Sequence, residues 1–207
     1  MLYTIVQDSN KYLSLTWDDA QITALVGESD MEKRIDMWNS PRSYSGVFGE
    51  TLRVYFIPLS KPGQSKTSKP LKVPDICAFQ GRLFLNKKAY EVLKPLIELD
   101  GEFLPVVCKQ GDGFVFTPLR VAEEVGGLDT KLSVKNEWGD LENLAFHEER
   151  LKSWSIFRAE FNVYMTAQCN EEVKNAVEKA ALCGVFFTTD LGNGFSNQFD
   201  DNVIAKN

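Results

Sequence analysis

Short runs of apolar residues, separated by polar turns, predict strands over much of this chain. Residues 2–6 form an apolar run, whereas residues 12–17 alternate between apolar and polar, and both patterns predict strands. A capping box at residues 29–32 opens a helical pattern that Pro41 ends. Residues 52–59 then predict a further strand.

The stretch 71–119 carries the clearest pattern and organises the rest of the prediction. Residues 74–79 predict a strand, and Asn86 predicts the start of a helix. Residues 103–108 and 114–119 predict a hairpin around a Gly-Asp-Gly turn. A strand, a helix and a hairpin in succession can bury one sheet face under one helix.

Two positions predict where helices end. Pro95 lies within the pattern of the helix that starts at Asn86, and it predicts a kink or an end near Lys94. A second helix begins at the N-cap Asn170, and Gly184 is its expected left-handed stop.

The remaining segments have weaker patterns. Residues 131–135, 155–166 and 185–189 predict strands, and residues 143–151 fit either a strand or a helix. The whole pattern therefore predicts an α+β fold, with mostly antiparallel sheets and a few packed helices.

Changes in composition divide the chain into four sections of one globular unit. An N-terminal section of strands and a helix, 1–60, is followed by a loop at 61–72 that contains four lysines and no acidic residue. Its Pro, Gly and Ser residues predict an exposed basic loop. The main α+β core spans 73–190, and a polar tail spans 191–207.

The charge balance indicates which partners suit the chain. Its 207 residues carry a net charge of −6, and a chain without a basic surface is a poor candidate for binding nucleic acid. An acidic surface suits a basic protein partner, because complementary potentials speed association. The same charge is also typical of a protein that is simply well solvated.

Several patterns point to the cytoplasm. The four cysteines contain no Cys-x-x-Cys pair, and they predict buried reduced thiols instead of disulfides or metal ligands. No signal peptide is visible, and no apolar run approaches the ~20 residues of a membrane span. We therefore expect a cytoplasmic protein with no membrane partner.

The sequence contains no catalytic motif. His147 is the only histidine, which excludes His–His metal sites and the zinc motif with two histidines. No phosphate-binding glycine loop is present, so we expect no catalytic, metal or cofactor residues and no cofactor. Distant carboxylates could still converge in a cleft, which leaves a carboxylate-dependent hydrolase as an alternative.

Two clusters of tryptophan and acidic residues are the best candidates for binding a partner. An exposed tryptophan beside carboxylates would form a hot spot for a basic protein surface. The alternative is that both tryptophans belong to the core and the acids only solvate loops. The candidate residues are Trp17, Asp18, Asp19, Trp138, Asp140 and Glu142.

Segments spread over residues 71–190 resemble a known bacterial family, the immunity proteins of polymorphic-toxin systems, family eleven. The resemblance rests on Val73-Pro74-Asp75-Ile76, residues 84–93, residues 102–106, Leu128-Asp129, residues 155–158 and residues 183–187. It implies a non-enzymatic inhibitor that binds a cognate toxin domain in the cytoplasm. The family supplies no interface residues for this chain, and an interaction module unrelated to toxins is the remaining alternative.

Overall fold

The fold is α+β with mostly antiparallel sheets, as the sequence predicts; it is seen in a computed structural model that describes residues 1–26, 41–59 and 70–192. The strands of the first half are β1 Leu2–Gln7, β2 Ser14–Trp17, β3 Leu52–Ile57, β4 Ile76–Phe79, β5 Arg82–Asn86, β6 Gly101–Cys108 and β7 Gly113–Pro118. Those of the second half are β8 Val134–Lys135, β9 Leu141–Asn143, β10 Ile156–Phe157, β11 Ala167–Asn170 and β12 Val185–Thr188. The helices in the described residues are α1 Asp19–Val26, α2 Lys87–Ile97, α3 Glu148–Leu151 and α4 Glu171–Lys179, with a 3-10 turn at Ala122–Val125.

Two sheets and a separate hairpin contain these strands. The larger sheet has the order β2-β3-β6-β7-β5-β4, in which only β3 and β6 pair in parallel. The smaller sheet has the order β10-β11-β1-β12 and is antiparallel throughout. The hairpin of β8 and β9 pairs two residues against three, with a register shift at Val134 and Lys135.

The main core lies where both sheets meet α2 and α4. Leu83 and Leu85 of β5 and Phe116 of β7 point toward α2, because alternate residues of a strand share a face. Ile5 of β1 and Cys169 of β11 bring the smaller sheet into the same cluster. Two further clusters cover the opposite faces of the two sheets, one around Trp17, Leu52 and Phe84, the other around Leu2, Trp154 and Phe157.

The helix starts agree with the sequence, whereas the helix ends do not. Asn86 and Asn170 cap α2 and α4 as predicted, each accepting a hydrogen bond from the backbone N–H three residues later, at 2.9 and 3.0 Å. Of the predicted kink or end near Lys94, the end does not occur, since α2 continues through Pro95 to the buried Ile97. Pro95 lies in the last turn, where one missing N–H disturbs little of the helix.

Ala181, instead of Gly184, is the left-handed residue that follows α4. Ala181 has a φ of 49°, and Leu182 N then bonds to the carbonyl oxygen of Val177 at 3.0 Å. Gly184 also has a positive φ, of 116°, but a Cβ there would collide with the backbone carbonyl of Ile76. The glycine is therefore required by close packing against β4.

Several other segments differ from their predicted structure. Residues 143–151 divide into the end of β9 and the short helix α3, and residues 155–166 contain only the two-residue strand β10 followed by turns. Neither α1 nor β5 was predicted from the sequence pattern. The predicted helix after residues 29–32 and most of the predicted basic loop at 61–72 lie outside the described residues.

Candidate protein-binding surface

Trp17 is not available to a partner. It is 5% exposed, and its ring packs edge-to-face on Phe79 with centroids 5.6 Å apart. The hypothesis of an exposed tryptophan is therefore wrong at this position, because the alternation of β2 directs this side chain into the core on one face of the larger sheet.

Asp18, which follows Trp17 in the chain, has a structural role. Its Oδ1 accepts from Gln21 N at 3.1 Å, while its Oδ2 accepts from the Tyr55 hydroxyl and from Arg53 Nε, both at 2.8 Å. The Tyr55 hydrogen bond, followed by that of the Gln21 N–H, holds the pKa of Asp18 below its usual range. Asp19 is exposed at the start of α1, where a carboxylate suits the positive helix end.

Trp138 lies at the tip of the β8–β9 hairpin and is 79% exposed. The loop that carries it is ordered by Asn136, whose Oδ1 accepts from Trp138 N at 3.0 Å and from Asp140 N at 2.8 Å. Gly139 permits the tight turn with a φ of 87°. The hairpin therefore presents an indole to solvent on a backbone that is already fixed.

The base of this hairpin is anchored to the body of the protein. Ser133 Oγ donates to the carbonyl oxygen of Ala145 at 3.2 Å and accepts from Ala145 N at 3.0 Å. Next to it, the ring of Phe146 packs edge-to-face on Phe157 of β10, with centroids 5.1 Å apart. The base of the hairpin is thus held by hydrogen bonds and by core packing.

The hairpin that carries Trp138 also exposes other apolar and acidic side chains. Val134 and Leu132 are also exposed, although both are large and apolar. Asp140 and Glu142, which the sequence analysis selected, are exposed on the same hairpin. We call residues 132–142 the Trp138 hairpin; it lies in a different sheet from Trp17, so the structure does not bring the two predicted clusters into one.

Two buried arginines, Arg82 and Arg158, were missed by the sequence analysis. Arg82 Nη2 donates to the Tyr44 hydroxyl at 2.6 Å, and Arg158 Nε donates to the carbonyl oxygen of Pro118 at 2.9 Å. Burial, and then the nearby charge of Arg82, lower the pKa of Arg158 to about 9. These two arginines link distant segments of the chain. In the sequence, the position of Arg82 at the start of the apolar run 82–85 is only a weak signal that the side chain is buried.

Carboxylates do gather at one cavity of about 290 Å³, the arrangement that a hydrolase would need. Its acidic residues are Glu148, Glu149, Glu171 and Glu172. Glu148 forms an ion pair with the Met1 amino group at 3.2 Å. Glu171 and Glu172 lie in the first turn of α4, where the helix dipole stabilises their carboxylates. These contacts give the acids structural roles without assigning a reaction.

The other chemical groups lie where a structural role would place them. All four cysteines are free; Cys77, Cys108 and Cys169 are buried as predicted, whereas Cys183 is only half-buried. His147 is exposed, and its Nδ1 lies 3.8 Å from Asp129 Oδ2. Within the ranges 1–26, 41–59 and 70–192, no group of three potential ligands could hold a metal ion.

The comparisons with known proteins leave the family unassigned. Neither a family model nor a curated protein matches the chain. Among the described helices, none combines the length and apolar character needed to cross a membrane. The surface chemistry of the Trp138 hairpin is therefore the main guide to function.

Proposed function

We propose that this chain is an immunity protein that neutralises a cognate bacterial toxin domain by binding it in the cytoplasm, without catalysis and without a cofactor. The observation that carries the proposal is the exposure of Trp138 at the tip of an ordered hairpin. Tryptophan is the residue type most enriched among interface hot spots.

The order of the hairpin favours tight binding. Hydrogen bonds from Asn136 fix the loop before any partner arrives. Binding then loses little conformational freedom, and burying the indole contributes its full apolar area. Val134 and Leu132 add exposed apolar area on the same hairpin.

The charge of the surface specifies the kind of partner. Glu137, Asp140 and Glu142 are exposed on the hairpin, within a chain of net charge −6. We expect these carboxylates to meet a basic surface of the toxin domain, such as the substrate cleft of a nuclease. Association should then slow as the salt concentration rises, because the charges that steer the encounter are screened.

Co-expression with the protein encoded next to this chain tests the proposal. We expect the neighbour alone to arrest growth, co-expression to restore growth, and the two proteins to purify together. A toxic neighbour that this chain neither binds nor neutralises would contradict the proposal, as would a neighbour without toxicity.

A pair of variants locates the contact. Trp138→Ala should weaken binding about 30-fold, which corresponds to the ~2 kcal/mol expected of a hot spot. Leu99→Ala is the matched control, since Leu99 is also large, apolar and exposed but lies outside the Trp138 hairpin. Wild-type affinity in the Trp138→Ala variant would exclude the hairpin as the binding element.

A further inference from the structure

The turn at residues 160–165 contains two consecutive left-handed residues that are not glycine. Val163 has a φ of 55° and Tyr164 a φ of 58°. This conformation costs about 1–2 kcal/mol for a residue with a Cβ, and a β-branched residue such as valine is a rare exception there. The sequence places the unfavourable side chain at Val163 although glycine or asparagine would fit the backbone better.

The surrounding structure holds the backbone of this turn in place. Val163 N donates to the carbonyl oxygen of Glu160 at 2.7 Å, and Tyr164 N donates to that of Ala159 at 2.9 Å. The carboxylate of Glu123 accepts from Glu160 N at 3.0 Å and from the next backbone N–H at 2.9 Å. The fold therefore imposes the conformation, whichever side chain occupies it.

The Tyr164 side chain packs against a buried group of the fold, whereas that of Val163 is half exposed. The Tyr164 ring lies against the guanidinium of the buried Arg158, 5.7 Å from the ring centroid, and its backbone carbonyl packs against Gly81. Val163, in contrast, is 51% exposed. Strain that burial does not offset is typical of residues retained for contact with a ligand or partner.

The turn adjoins the Trp138 hairpin. Lys135 Nζ of β8 lies over the ring of Phe161, 4.8 Å from its centroid, which places the two segments side by side. Met165 is exposed on the turn, as Val163 is, and Glu160 adds an exposed carboxylate. The turn thus resembles the hairpin in composition, with large apolar side chains beside one carboxylate.

We infer that the turn 160–165 forms a second part of the toxin-binding surface, with Val163 as its apolar anchor against a basic protein. This inference rests on the proposed function and extends the surface beyond the Trp138 hairpin. The partner should place an apolar side chain on Val163 and a basic one near Glu160, because exposed apolar area and carboxylates are what the turn offers.

Substitution of Val163 by glycine separates binding from stability. Val163→Gly relieves the strain, so the melting temperature should rise, while the Kd for the toxic protein encoded next to this chain should increase at least 10-fold. A merely structural role for Val163 would predict the higher melting temperature with no change in Kd, and this result would overturn the inference.

Ala181→Gly is the matched control. Ala181 is also left-handed and exposed, with a φ of 49°, but it follows α4 outside the proposed surface. The variant Ala181→Gly should raise the melting temperature and leave the Kd unchanged. A Kd that rises as much as in Val163→Gly would also overturn the inference. If Trp138→Ala weakens binding and Val163→Gly does not, the inference fails while the proposed function stands. If the neighbour does not bind the wild-type chain, both fail.

Discussion

Asp100 Oδ2 accepts the backbone N–H of Ser155 over 2.7 Å, so the start of β6 in the larger sheet is tied to the segment that leads into β10 of the smaller sheet. The same carboxylate oxygen accepts Ile156 N at 3.3 Å, and Oδ1 lies 3.4 Å from Arg120 Nε. Asp100 is buried, and it therefore serves as a polar joint between two sheets.

Removal of this joint should destabilise the protein. Hydrogen bonds to a buried charged group contribute about 1.5–3 kcal/mol, so we expect Asp100→Ala to lower the free energy of unfolding by about that amount. Urea denaturation followed by circular dichroism measures the change. Asp112→Ala, on an exposed turn with one backbone bond to Cys108, is the control and should cost clearly less. Equal losses in both variants would contradict the role given to Asp100.

Trp17 and Trp138 both lie beside acidic residues in the sequence, but replacing each with alanine should change the stability by very different amounts. Trp17→Ala removes a buried ring and should cost about 3–5 kcal/mol of stability. Trp138→Ala removes an exposed one and should change stability by less than about 0.5 kcal/mol. Thermal denaturation of both variants tests this, and a large loss at Trp138 would show that its ring packs within the fold.

Alkaline conditions should destabilise the protein through its buried thiols. Burial raises the pKa of Cys77 from 9.0 to about 12, and it also raises that of Cys169. Above pH 9 the unfolded chain releases a proton that the folded chain retains. The contribution of Cys77 to stability is therefore complete below pH 9 and is lost as the pH rises toward 12.

At pH 10.5 the loss should reach about 2 kcal/mol for Cys77, since each pKa unit corresponds to about 1.4 kcal/mol. Urea denaturation at pH 8 and at pH 10.5 measures it. The variant Cys77→Val lacks the titrating thiol, and its stability should fall less over the same interval. Parallel curves for the variant and the wild type would exclude this linkage.

The cap of α4 should be worth about 1 kcal/mol. Asn170 Oδ1 accepts Val173 N at 3.0 Å, and Asn170→Ala leaves this N–H without its acceptor. Asn175→Ala, at an exposed position within the same helix, is the control and should be neutral or slightly stabilising, because alanine is the better helix former. A stability equal to that of the control would show that the cap contributes little.

Local signals account for the part of the fold that the sequence predicts. Asn86 and Asn170 cap helices through their own side chains, so the residues within three positions are sufficient to identify them. Buried and exposed residues alternate along β3, and this pattern can also be recognised from neighbouring residues alone. In contrast, β5 is buried almost throughout and begins with a charged residue, Arg82, so its pattern resembles neither an amphipathic strand nor a helix.

Only part of the candidate surface could be predicted from the sequence. Trp17 and Trp138 both lie beside acidic residues, so this criterion alone does not distinguish them. Trp17 is buried because β2 is paired within the larger sheet, whereas Trp138 lies at the exposed tip of a hairpin. The left-handed Val163 leaves no trace in the sequence, because hydrogen bonds to Glu123 and the packing of Gly81 impose its conformation from distant parts of the chain.

The position of β1 determines when this protein can complete its fold during synthesis. β1 is paired on one side with β11 and on the other with β12, so it has no strand to pair with until residues 167–188 have also emerged from the ribosome. At about 5–20 residues per second, translation of the residues between β1 and β12 takes about 10–35 s. Throughout this interval β1 lacks both of its partner strands, and a product that ends before β11 would lack the smaller sheet.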